Sequence, residues 1–204
     1  MTEKFIQDAI IIWATIDPIG TMALFTALTA HLSPADRRRT AFKAIFYAGA
    51  VLLGSILIGQ LILGAMGIRL LSFQLGGGII LFLFGLQMIF GSGAPQSHKE
   101  PEHDIAVFPL AIPATATPGA ILAVILLTDN HVHPIAVQIG TALITIGVLV
   151  VTLLLLLLSD RILRIIGAGG ASILTRVMGM ILAALSVELV MNALGIEQWI
   201  GPAP

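Results

Sequence analysis

From Pro134 to Leu158 the chain carries no charged residue, and the run closes on the consecutive leucines Leu153 to Leu158. About 20 apolar residues in helical form cross the hydrocarbon core of a bilayer. Lipid offers the backbone no hydrogen-bonding partner, so a helix that bonds internally is how such a run satisfies its peptide groups. Comparable runs lie at about Phe5–Ala30, Thr40–Gly64, Leu70–Phe90, Ile105–Leu127 and Ile173–Leu194. The sequence therefore predicts an all-α membrane protein with six transmembrane helices in a single domain, residues 1–204. Composition agrees: 57% of residues are apolar and 10% charged, which leaves too little polar surface to cover a soluble domain. A net charge of −1 without a basic block or acidic tail excludes a nucleic-acid partner. With no cysteine, disulfides, thiolate metal sites and cysteine nucleophiles are excluded too. The first apolar run is too long for a signal peptide and no small-residue cleavage site closes it, so it is read as a retained helix.

Lysine and arginine counts predict the orientation. The connections after the first, third and fifth spans, with their flanks, hold Arg37, Arg38, Arg39, Lys43, Lys99, Arg161, Arg164 and Arg176; the other side holds Lys4 and Arg69. The first group belongs on the cytoplasmic side, which puts both termini in the periplasm of a bacterial host.

The chain also resembles itself. Ala14-Thr15-Ile16-Asp17-Pro18 matches Ala114-Thr115-Ala116-Thr117-Pro118, and a glycine (Gly20, Gly119) follows each proline. The run from Gly78 to Gln87 matches the run from Gly179 to Glu188 at nearly the same offset. Three helices per copy would place the second copy upside down. The expected plan is two inverted three-helix repeats, about 1–91 and 105–198, joined by a polar cytoplasmic loop at about 92–104. Inverted repeats with discontinuous helices recur among secondary transporters.

The break at Asp17-Pro18-Ile19-Gly20 lies about 12 residues, or roughly 18 Å, into the first span. An acid at that depth costs on the order of 2.5–3.5 kcal/mol on insertion scales. Pro18 withdraws a backbone donor. Asp17, Pro18 and Gly20 are thus candidate substrate ligands, and Asp17 is read as the single aspartate within a span. The fourth span breaks at Pro113 and again at Pro118-Gly119. Thr115, Thr117, Pro118 and Gly119 are its candidates, because a half-helix N-terminus favours an anion. An acid for an ammonium and amides for a carboxylate would suit a small zwitterion. The plainer alternative is a proline kink capped by Asp17, with threonines bonded to their own helix. Water access to Asp17 separates the two, since a purely structural aspartate would be sealed.

Glu188 is the other acid considered for carrying a proton, although it lies near its helix end and is equally readable as interfacial. Gln138, Thr141, Thr145 and Thr152 share one helix face, read as hydrogen-bonding glue between helices slightly ahead of pore lining. Glycine and small-residue stripes at Gly78 and Gly85, and at Gly179, Ala183 and Ser186, read as close helix contacts. The pairs His98/His103 and His131/His133 lie in different loops and do not make four ligands, so no metal is expected. Hydrolase and phosphate-loop motifs are absent, which argues against an enzyme, and no cofactor is called for.

The Asp17-Pro-Ile-Gly20 break, the run from Phe73 to Phe82, the run from Val107 to Ala120 and the run from Arg176 to Ser186 together resemble the MarC family of bacterial inner-membrane proteins. The likeness covers nearly the whole chain, although many relatives carry glycine where this chain has Thr117. The resemblance implies a transporter of small neutral amino acids such as glycine and alanine, driven by protons. The alternatives are an exporter of another small metabolite or drug, and a membrane structural or signalling protein that transports nothing. A homo-oligomer is compatible with either.

Overall fold

The computed structural model describes residues 2–91 and 104–196, and every regular element among them is helical. These are α1 (Thr2–Ile16), α2 (Pro18–Thr29), α3 (Pro34–Ala65), α4 (Leu70–Phe90), an irregularly wound segment Ala106–Thr115, α5 (Pro118–Leu127) and α6 (Ile135–Ala193). Five stretches are long and apolar enough to cross a membrane: Thr2–Thr29, Pro34–Ala65, Leu71–Phe90, Ile135–Ile162 and Thr175–Ala193. The Ala106–Thr115 segment and α5 make a sixth if they count as one span bent by 55°.

Local chemistry sets the element ends. Pro34 opens α3 behind Ser33, whose hydroxyl accepts from the amide of Asp36 at 3.2 Å and donates to its carboxylate at 2.6 Å. The far end of α3 closes on Gly67 in the left-handed region, with the amide of Ile68 donating to Leu63 O at 2.9 Å.

The fifth and sixth spans are separate, as expected, but the connection between them is short: α6 is two helical stretches that meet at Gly167, whose φ of 71° and ψ of 166° only glycine tolerates well. The chain reverses there. Before the break α6 runs parallel to the first span, with Thr141 beside Asp8 and Leu156 beside Met22 and Phe25. Beyond it, α6 lies antiparallel to α4. Gly78 meets Ser186 and Val190, and Gly85 meets Gly179 and Ala183. A methyl group on Gly85 would fall 2.9 Å from the carbonyl of Gly179, so the helices touch backbone to backbone.

Three apolar clusters hold the bundle. Ile12, Ile16, Leu52, Ala116, Val124 and Leu149 join α1, α3, α5 and α6 around the bundle centre. Met22, Phe25, Ala44, Leu110 and Leu156 continue that core toward one end. Leu81 and Leu182 dock the α4–α6 pair on Ala14. Polar contacts then divide into two ends. One gathers Lys4, Asp8, Gln60, Leu127 and Asp129, and the other gathers Arg37 with Asp160 and Lys43 with Asp104. His98, Lys99, His103 and the chain terminus beyond Ile196 lie outside the described residues.

Candidate functional site

Both expected breaks are present, and they meet. Asp17 sits between α1 and α2 with φ 47° and ψ 71°, the one non-glycine residue at positive φ among those described. That conformation costs about 1–2 kcal/mol for an ordinary residue, and aspartate tolerates it better than most. The carboxylate caps α2 by accepting from the amide of Gly20 at 3.1 Å. A side chain on Gly20 would collide with that same carboxylate, which accounts for the glycine.

In the fourth span the residues preceding Pro109 and Pro113 are extended, as proline requires of its neighbour. Both proline peptide bonds are cis. Thr117 then caps α5, its hydroxyl accepting from the amide of Ala120 at 2.8 Å. Thr117 therefore does for α5 what Asp17 does for α2.

Each break repairs the other. Pro118 has no N–H to offer Ala114, and the carbonyl of Ala114 accepts instead from the Thr21 hydroxyl at 3.1 Å. The Thr15 carbonyl, one turn before Pro18-Ile19, accepts from the Thr117 hydroxyl at 2.8 Å. Thr15, Ile16, Thr115, Ala116 and Thr117 are fully buried. Non-helical backbone within a membrane is tolerated only where protein or water meets its polar groups, and here protein meets them.

The geometry places the expected site residues unevenly. Asp17, Pro18, Gly20, Thr117 and Pro118 lie at the meeting point. Gly119 is there too, but it packs its missing side chain against Leu81 of α4. Thr115 turns away and donates to Leu110 O at 2.8 Å. Asp17 is 5% exposed, so in this conformation the break is sealed, and no cation pairs with it among the described residues. A cavity of about 370 Å³ between α3, α4 and α5 is apolar and is not lined by Asp17. A second cavity, of about 400 Å³, lies at the Gln60 end and is lined by Gln60, Thr128, Asn130, His131 and Gln138.

Glu188 is not brought to the breaks. It is exposed, and its partner is Asn192, 3.5 Å away on its own helix. Of the α6 polar face, Thr141 reaches another helix, while Thr145 and Thr152 donate to the carbonyls of Thr141 and Val148 one turn back on their own helix and Gln138 reaches His133 O. Among the described residues no three acidic or histidine side chains cluster as metal ligands. In the loop before α6, partial burial and then the nearby Lys4 charge hold His133 below its ordinary pKa.

Asp17 is not the single aspartate within a span. Asp8 is 1% exposed on α1, inside the first apolar stretch, with Lys4 on its carboxylate at 2.7 and 2.9 Å and the Thr141 hydroxyl donating at 2.6 Å. The signal was available, because Lys4 and Asp8 are one helical turn apart and share a face.

Long apolar helices, polar groups confined to the bundle ends and interior, and irregular backbone sealed at the centre define a polytopic α-helical integral membrane protein. The chain belongs to the MarC family of integral membrane proteins, whose sequence profile matches residues 2–200. It is 36% identical to a UPF0056 membrane protein of Methanocaldococcus jannaschii over 94% of this chain and 96% of that one. A UPF0056 membrane protein of Buchnera aphidicola subsp. Baizongia pistaciae is 32% identical, covering 97% of this chain and 98% of its own. The UPF0056 inner membrane protein YhgN of Escherichia coli is 29% identical over the same shares, 97% and 98%. No solved structure matches the chain.

Proposed function

We propose that this protein is a secondary transporter of small neutral amino acids of the glycine and alanine class, coupled to protons and seated in an inner membrane with both termini periplasmic. The supporting observation is the meeting of two discontinuous helices at the bundle centre, each half-helix N-terminus capped by a side chain, with a buried acid on one that no cation meets among the described residues. In this reading the chain is two inverted repeats, and Thr21 and Thr117 each cross to the opposite copy. The sealed conformation is then an occluded one. Substrate would enter when α2 or α5 swings away from its partner, exposing Asp17 to the ammonium and the α5 amides to the carboxylate. Accumulation of labelled glycine or alanine by proteoliposomes under a proton gradient tests the proposal, and flux equal to that of empty liposomes rejects it.

One observation favours a second reading, a membrane structural or signalling protein without a substrate path. Asp17 is sealed and already serves as a helix cap. The two readings part on Asp17→Asn, because asparagine caps as well as aspartate but carries no charge.

A further inference from the structure

Lys4 stands where helix physics gives it little reason to be. It lies in the first turn of α1, where the helix dipole repels a cation. It also precedes its acidic partner by four residues, the weaker order for such a pair. What holds it lies around its tip. The ammonium is 2.7 and 2.9 Å from the two carboxylate oxygens of Asp8 and 3.4 Å from the carbonyl oxygen of Leu127. Leu127 is the last residue of α5, where carbonyls lack helical donors and the dipole is negative. Thr141, from α6, donates to Asp8 at 2.6 Å and fixes the carboxylate rotamer. Three separate elements thus arrange one full and one partial negative charge around a single cationic group. The carboxylate is almost fully buried, whereas the Lys4 side chain is 23% exposed. The charge to be neutralised is inside, and its neutraliser reaches in from the surface.

We propose that Asp8 and the Leu127 carbonyl, steadied by Thr141, form a binding site for a primary alkylammonium ion, which Lys4 fills in this conformation as a tethered ligand. The donor set asks for N–H groups as well as charge, since it offers three oxygens within hydrogen-bonding reach of one nitrogen. The site is distinct from the meeting of the breaks and does not rest on the transport reading.

The test is chemical rescue in the full-length purified protein. Lys4→Ala removes the tethered ammonium and leaves its socket. Thermal unfolding, followed by tryptophan fluorescence, is measured in methylammonium chloride and in tetramethylammonium chloride at equal concentration. Methylammonium reproduces the end of a lysine side chain, whereas tetramethylammonium carries the charge without an N–H. Lys4→Ala should melt below wild type. At concentrations several-fold above Kd, methylammonium should raise its Tm saturably by roughly 2–4 °C. Tetramethylammonium should not do so, and neither wild type nor Lys4→Ala/Asp8→Asn should respond to methylammonium. Equal effects of the two salts, or an equal methylammonium response in the double variant, would overturn the proposal. If Lys4→Ala cannot be purified folded, recovery of folded protein is scored when each salt is present from solubilisation onward. Recovery in methylammonium alone supports the site, and recovery in both or in neither overturns it.

Discussion

The Thr117 hydroxyl donates to the carbonyl of Thr15 at 2.8 Å while accepting from the amide of Ala120 at 2.8 Å, so one oxygen both caps α5 and ties the fourth span to the first. Thr117→Val keeps the shape and removes both bonds. Losing the cap costs about 0.5–2 kcal/mol, and an unmet buried carbonyl adds about 1–3 kcal/mol. Equilibrium unfolding in detergent should therefore find Thr117→Val destabilised by roughly 2–4 kcal/mol, with Thr117→Ser close to wild type. A valine variant as stable as wild type would dissolve the proposed tie between the breaks.

Asp17→Asn separates transport from architecture. Asparagine tolerates the left-handed conformation and caps α2 comparably, so the melting temperature should hold or rise slightly. Glycine and alanine flux in proteoliposomes should nevertheless fall to background, because asparagine cannot ionise. Near-normal flux by the folded variant would reject Asp17 as the charged centre.

The contact between α4 and the last part of α6 should discriminate sharply among glycines. Gly85→Ala places a methyl group 2.9 Å from the Gly179 carbonyl and 3.0 Å from the Ala183 amide, both backbone atoms that cannot turn aside. Overpacking of this kind costs about 1–3 kcal/mol. At Gly54 a methyl group meets nothing within 4 Å, and there Gly→Ala should gain up to about 1 kcal/mol from helix propensity. Unfolding curves for the two variants should shift in opposite directions.

Asp104 supplies a pH signature at the other end. The Lys43 hydrogen bond, followed by that from the Ala106 amide, holds its carboxyl below the usual carboxylate range. A depressed native pKa means that the stabilisation is complete above the unfolded value and is lost as pH falls through the native one. The partners are 41% and 43% exposed, so solvent screening limits the effect to about 0.5 kcal/mol or less. Lys43→Met should raise the Asp104 pKa in an NMR titration while moving the melting temperature at neutral pH very little. An unchanged pKa would show that Lys43 does not set it.

Much of this arrangement can be read from residue order, because lipid enforces simple rules. Apolar run length locates the spans, and Pro18, Pro113 and Pro118 locate the breaks, since proline withdraws a donor wherever the fold places it. Facing is harder. Glu188 and Asp8 both lie in apolar runs, yet one ends exposed and the other is enclosed by Lys4 from its own helix and by Thr141, a neighbour distant in sequence. Ser159 to Gly170, with its charges and glycines, has the composition of a loop. Helix nevertheless runs up to Gly167 from either side, and the chain turns back at that break. The bond from Thr117 to Thr15 could not be anticipated either, because a threonine in a span bonds as readily to its own helix.

The partnership of α4 with the end of α6 also bears on how the protein is made. Gly78 and Gly85 receive Val190, Ser186, Ala183 and Gly179, which follow them by about a hundred residues in the chain. Chains emerge N-terminus first at about 5–20 residues per second, so α4 is made several seconds before the residues that cover its glycines. The zipper can close only once residues 179–190 have been made, so the pairing of α4 with its partner comes well after α4's own synthesis.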